Sequence, residues 1–127
     1  LKKTAGRFTV SGSPLVKGIK ILLNIKNLPL PIFKQYPFVR SVGLYGSCAK
    51  GENTEDSDMD LWIEVKDVEE EKLASLSSLL NKKMANVKIL FLTGKKIKTL
   101  QKEDEVFYHS LVFGSILIYG DKDGLQV

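Results

Sequence analysis

Two aspartates spaced one residue apart, Asp58 and Asp60, follow a Gly46-Ser47 dipeptide with ten residues intervening. On a strand, positions i and i+2 project from the same face, so the two carboxylates become neighbours. Like charges held that close repel, and at least one pKa rises unless a cation sits between them. Magnesium resolves the conflict, because it takes hard oxygen ligands, uses one or two carboxylates and fills its remaining positions with water and substrate phosphates. The Gly-Ser half of the pattern supplies the other partner. A strand that ends there and turns into a short helix points unpaired N–H groups at phosphate oxygens. Gly46 allows close approach, the Ser47 hydroxyl adds a donor, and Lys50, one turn later, adds positive charge. The chemistry this favours is phosphoryl or nucleotidyl transfer, in which the metal neutralises triphosphate charge and stabilises the leaving pyrophosphate.

The other candidates read more plainly. Cys48 has no histidine nearby in sequence, so packing outweighs nucleophilic catalysis. His109, the only histidine, lies in a Phe-Tyr-His helical segment, where a helix-end or core-edge role is expected. Tyr45 and Trp62 could stack on a base, although aromatics on strands usually pack. For the aspartates themselves, the bland alternative is an exposed acidic edge.

These residues need a scaffold. Val39–Tyr45 is strand-like and stops at Gly46; residues 51–57 form a polar loop. Alternation then resumes, with Met59, Leu61, Ile63 and Val65 pointing to a core and Asp58, Asp60, Trp62 and Glu64 to chemistry or water. Asp67 is expected to cap a helix with Glu69, Glu70 and Glu71 in its first turn, Leu73, Leu76 and Leu80 on its buried stripe, and Lys82 and Lys83 in its last turn. Val87–Leu92 reads as a strand, Thr93-Gly94 as a turn, Ile97 to about His109 as helix in two pieces, and Ser115–Tyr119 as a closing strand. Upstream, Arg7–Val10 reads as a short strand. Ser13 and Pro14 start a helix that ends before Pro29, with Leu15, Ile19, Leu22 and Leu23 facing a core and Lys17 and Lys20 in water. A helical turn is expected at Ile32–Tyr36. The fold class is α/β (α+β), a mixed sheet flanked by helices. Two parts are expected: a basic segment, residues 1–37, and a domain, residues 38–127.

Composition excludes much. The 127 residues are 43% hydrophobic and 27% charged, an ordinary globular balance. The longest early apolar run is broken by Lys20, Asn24 and Lys26, short of the roughly 20 residues a bilayer span requires, so no membrane partner is expected. A single cysteine fits a reducing compartment, and the cytoplasm is the expected location. The net charge of +4 conceals an asymmetry: residues 1–40 hold eight Lys or Arg and no acid, the remainder 11 basic and 15 acidic residues. Clustered positive charge can steer a nucleic acid or an acidic protein, or can simply solubilise the segment. The same applies to the seven lysines between Lys82 and Lys102. The chain begins at Leu1 rather than methionine, as a processed or excised chain would.

Residues 44–51, Leu-Tyr-Gly-Ser-Cys-Ala-Lys-Gly, with residues 57–63, Ser-Asp-Met-Asp-Leu-Trp-Ile, resemble the signature of the DNA polymerase beta nucleotidyltransferase superfamily. The closing Ile118-Tyr119-Gly120 is also similar, the resemblance covers roughly residues 38–120, and it is closest to the minimal branch. It implies that Ser47 holds the triphosphate, that Asp58 and Asp60 bind magnesium, and that a nucleoside monophosphate passes to an acceptor, with ATP as the expected nucleotide. It implies a helical protein partner of the toxin–antitoxin type. One position departs from the pattern: where the family places a third carboxylate on the next strand, this chain has Lys88, flanked by Val87 and Ile89. An ammonium there could pair with the aspartates and replace one metal. Loss of the third carboxylate should weaken acceptor activation more than triphosphate binding. Glu64 shares the face but lies further along the strand. The competing function is therefore a catalytically weakened nucleotide- or nucleic-acid-binding module, an antitoxin-like regulator, with the Arg7–Val10 strand and following helix as a remnant of a winged DNA-binding region.

Overall fold

A computed structural model describes residues 13–54, 57–84 and 86–120. The expected Arg7–Val10 strand lies outside them. Among the described residues six helices and four strands follow in chain order: α1 (Pro14–Lys26), α2 (Leu30–Lys34), β1 (Val39–Tyr45), α3 (Ser47–Lys50), β2 (Met59–Val65), α4 (Glu70–Lys83), β3 (Val87–Leu92), α5 (Gly94–Glu103), α6 (Glu105–Gly114) and β4 (Ile116–Gly120). The sheet order is β3-β2-β1-β4. β1 runs antiparallel to β2 and β4, and β2 runs parallel to β3. Parallel neighbours need a long crossover, which α4 provides. The result is the expected mixed sheet flanked by helices.

The sheet separates two cores. On one face, Val42, Leu44, Leu61, Ile63 and Val65 bury against Ile32 and Phe33 of α2, Cys48 and Ala49 of α3, and Leu76 and Leu80 of α4. On the other, Trp62 and Leu92 pack with Ile97 of α5 and with Tyr108 and Leu111 of α6. The alternation in β2 therefore feeds both layers. Trp62 and Glu64 are not on a wet face: they are 0% and 4% exposed. A strand pattern distinguishes the two faces but not how far along one of them a helix will cover it. Only the Asp58 and Asp60 end remains open.

Helix α1 also corrects the sequence reading. Ser13 caps it as expected, its hydroxyl accepting from the Val16 N–H at 3.1 Å. Its orientation is inverted. Leu15, Ile19, Leu22 and Leu23 are exposed, whereas Asn24 is buried. The Asn24 amide donates to the Cys48 carbonyl at 2.9 Å and to Asn53 Oδ1 at 3.0 Å. Lys17 pairs with Glu52 at 3.3 Å, and Lys20 Nζ donates to the Asn53 carbonyl at 3.0 Å. These polar contacts dock the helix, and directional bonds to the loop after α3 set its rotation. Hydrophobic periodicity locates such a stripe without saying what it meets.

Smaller differences follow the caps. Glu69, not Asp67, occupies the N-cap of α4 and makes no side-chain cap bond. Thr93 accepts from the Lys96 N–H and opens α5 directly, so Gly94 belongs to the helix rather than to a turn. Asp104 accepts from the Phe107 N–H and starts α6, which divides the expected two-piece helix. Among the described residues no helix is long and apolar enough to cross a membrane.

Candidate active site

β1 delivers the chain to Gly46, whose φ of 71° and ψ of −154° lie where side chains are strongly disfavoured. A Cβ at this position would stand 2.5 Å from Asp60 Oδ2, so glycine is required twice, for conformation and for space. The chain then turns into α3, and Gly51, at φ 69°, closes it with its N–H on the Ser47 carbonyl. Both ends of the turn are held by left-handed glycines. The first N–H groups of a helix have no earlier carbonyl of that helix to bond, and Gly46 and Ser47 hold the first two such positions of α3.

The aspartates arrive by strand register. Tyr45 pairs with Asp60 across β1 and β2, which sets Asp60 beside the Gly46 turn. Asp60 in turn pairs with Lys88 across β2 and β3. Asp58 immediately precedes β2, and its Oδ2 lies 3.2 Å from Lys88 Nζ. Thus Gly46, Asp58, Asp60 and Lys88 converge at one end of the sheet. Burial raises the Asp60 carboxyl pKa above its ordinary value; Lys88 pulls it down and Asp58 pushes it up. The Asp58–Lys88 pair is mostly in water, with Lys88 70% exposed, so it is weakly held.

A divalent ion fits this donor set in one limited way. Among the described residues no group of three or more His, Cys, Asp or Glu side chains is placed to hold a metal. Two carboxylates beside a Gly-Ser turn would suit magnesium that arrives with a triphosphate and completes its shell with phosphate oxygens and water. They do not suit a self-sufficient metal cage, and the third carboxylate position is cationic.

The remaining candidates fall around this group. Lys50 ends α3 and is exposed at the end remote from Gly46. Cys48 is buried in the core, with its thiol donating to the Asp58 carbonyl at 3.7 Å, which ties α3 to the start of β2. Burial and the Asp60 charge push that thiol's pKa up, against a hydrogen bond from Ser47, so the group is a structural tie. Tyr45 packs edge-on to Phe107, with burial and Asp60 raising its pKa. Trp62 is fully buried and donates from Nε1 to Ser115 Oγ at 2.9 Å, so it cannot stack on a base. Glu64 accepts from the Ser41 hydroxyl at 2.7 Å inside the second layer. It is a structural carboxylate, remote from Asp60. His109 is exposed on α6 against the rings of Tyr108 and Phe113. Asn24 escaped the sequence reading although it anchors the backbone of α3. Its signal was present as a lone amide in an apolar helix, where a buried polar group must find partners.

Paired carboxylates beside a Gly-Ser turn, at one end of a mixed sheet flanked by helices, are thus the class that geometry defines. The sequence model described as Polymerase beta, Nucleotidyltransferase matches residues 30–123. The chain belongs to that family. Among curated proteins none matches it. Of solved structures, a toxin–antitoxin complex with AMP-PNP is similar at 17% identity and TM-score 0.56, over 78% of this chain and 75% of that one. A mutant of the MntA–HpeT toxin–antitoxin is similar at 14% identity and TM-score 0.54, over 73% of this chain and 71% of that one. A Sulfolobus solfataricus protein classed as a nucleotidyltransferase is similar at 16% identity and TM-score 0.50, over 96% and 97% of the two chains. These likenesses concern the fold.

Proposed function

We propose that the chain binds a magnesium nucleoside triphosphate, ATP foremost, and transfers its nucleoside monophosphate to an acceptor. The observation that carries this reading is the approach of Asp60 to Gly46, where a single Cβ would not fit. Phosphate cradle and carboxylate share one small space. In this reading the Gly46 and Ser47 N–H groups and the Ser47 hydroxyl orient the triphosphate, Asp58 and Asp60 hold the magnesium side of it, and Lys50 adds charge from the far end of α3. Magnesium, when bound, neutralises triphosphate charge and eases departure of pyrophosphate. Lys88 stands where a carboxylate would help draw the acceptor's proton, so transfer is slow relative to binding. The AMP-PNP in a similar complex supports nucleotide binding, and the toxin–antitoxin neighbours support a partner protein of the toxin–antitoxin type. Cytoplasmic location accords with this reading.

The Asp58–Lys88 ion pair favours one second reading, a module that keeps nucleotide without transferring it or uses its basic N-terminal segment on nucleic acid. Calorimetric titration with each nucleoside triphosphate, with and without magnesium, tests the first reading. Binding is expected only with magnesium, and the Asp58→Ala, Asp60→Ala double variant should lose at least about tenfold in affinity. Equal binding by that variant overturns the site. Pyrophosphate release from labelled nucleotide separates the readings: Lys88→Asp should raise it, whereas a module devoted to binding remains silent in both forms. Salt-sensitive nucleic-acid binding indifferent to both aspartates would favour the second reading.

A further inference from the structure

The ammonium beside the two aspartates faces a part of the site that nucleotide binding does not use. Tyr45, Asp60 and Lys88 stand in register on three neighbouring strands, β1, β2 and β3. The Gly46 turn follows Tyr45 and leaves no room for a Cβ beside Asp60 Oδ2. Lys88 lies one strand further, roughly 5 Å across the sheet, on the far side of the carboxylates from that turn. Its Nζ is 3.2 Å from Asp58 Oδ2, and its charge also pulls on Asp60. In an in-line displacement at phosphorus, the entering and departing oxygens lie on opposite sides. With the triphosphate at Gly46 and Ser47, the entering side is the side of Lys88.

What stands there cannot receive a proton, since an ammonium carries donors and no acceptor. Among the described residues no third His, Cys, Asp or Glu joins Asp58 and Asp60 in a metal-holding group, so a second ion that would acidify an acceptor hydroxyl has no seat among them. An alcohol keeps its proton at neutral pH. A phosphate monoester has none it must lose: its second pKa is about 6, so it arrives as a charged nucleophile. A carboxylate also arrives charged, but contact with Lys88 occupies its single charge, whereas a phosphate dianion keeps one for the attack. The Asp58–Lys88 pair does not stand in the way. Lys88 is 70% exposed, and exposed pairs are weak enough to open when Asp58 turns to a metal.

We infer that the acceptor is a phosphate monoester, held by Lys88 for in-line attack on the α-phosphate. One oxygen of the ester phosphate bonds to the α-phosphorus. The bond from that phosphorus to its bridging oxygen breaks, and pyrophosphate leaves with the oxygen and the electron pair. The product is a pyrophosphate-linked nucleotide, and no proton moves. This acceptor presupposes nucleotidyl transfer at the site and gives it a substrate class. Slow transfer is then a property of hydroxyl acceptors.

The test uses the full chain with magnesium and the α,β-methylene analogue of ATP, in which the bond to be broken is replaced. Calorimetry should show phenyl phosphate binding to this complex without displacing the analogue. Lys88→Met should weaken that binding at least about tenfold, and Lys88→Arg should retain it. With ATP, phenyl phosphate should release pyrophosphate at least about tenfold faster than phenol or benzoate, and Lys88→Asp should reverse the order of phenyl phosphate and phenol. A 5′-phosphorylated oligonucleotide and a phosphoserine peptide, each beside its dephosphorylated form, separate the sources of the ester: acceptance of one names nucleic acid or protein, and acceptance of neither names a small molecule. If the analogue does not bind the wild-type chain, the nucleotide reading falls and this acceptor with it. If the analogue binds, the acceptor alone is overturned by any of four results: phenyl phosphate does not bind, binds Lys88→Met equally, displaces the analogue, or is outrun by phenol or benzoate.

Discussion

At the scale of single residues, the site holds groups that sit uncomfortably in the folded chain. Burial raises the Asp60 pKa above its unfolded value, so the folded state keeps the proton to higher pH. Stability therefore falls as pH rises from the unfolded value, about 3.9 for aspartate, through the raised one. At neutral pH the ionised carboxylate is destabilising. Asp60→Asn is expected to raise the thermal midpoint at pH 7, with the advantage shrinking in acid, while removing magnesium-dependent nucleotide binding; an unchanged or lower midpoint at pH 7 contradicts this. A gain in stability with loss of function is the usual mark of a site strained for its task. Cys48 behaves in the opposite manner, as an inert neighbour. Its buried thiol with a raised pKa should react with iodoacetamide at pH 7 at least about tenfold more slowly in the folded protein than in urea, which thiol counting over time would show.

At the scale of elements, two short-range ties hold the site in place. Gly43 lies in β1 under the indole of Trp62, and a Cβ there would collide with the ring. The ring has no room to retreat, being fully buried and bonded to Ser115. Gly43→Ala should cost about 3 kcal/mol in urea unfolding, at the upper end of overpacking penalties. A loss near zero would mean that the β1–β2 contact is looser than described. Asn24 is the second tie, bridging α1 to the Cys48 carbonyl. Asn24→Leu makes α1 more apolar yet leaves that carbonyl and Asn53 without their partner, and should destabilise by about 1–3 kcal/mol. If the leucine variant is instead more stable, the polar docking of α1 is wrong.

At the scale of the whole molecule, β2 is the shared wall of both cores, since Leu61 and Ile63 face one and Trp62 the other. Loss of either layer strips the other of its support. Trp62 is the only tryptophan and fully buried, so its fluorescence reports the second core, while far-UV circular dichroism reports all helices. The two transitions in urea are expected to coincide, as a single cooperative unit requires. Separate midpoints would show that α5 and α6 melt independently of the site-bearing layer. Charge is also a whole-molecule property, with a basic front and an acidic remainder. It bears on partners and encounter rates, not on the fold.

The local rules of the chain settled a good part of this. Val39–Tyr45 was readable as a strand to the residue, because β-branched and aromatic residues run up to a glycine. The Gly46-Ser47 turn and the Asp58, Asp60 spacing also needed no fold to be recognised, since glycine conformation and strand alternation act within a few residues. Tertiary structure decided the rest. Which face of α1 is wet, that Trp62 and Glu64 are covered, and that Lys88 reaches Asp58 all depend on partners far away in sequence: Cys48 and Asn53 for Asn24, α6 for Trp62, and the β2–β3 register for Lys88. Periodicity says which side chains share a face, and only packing says what that face will meet.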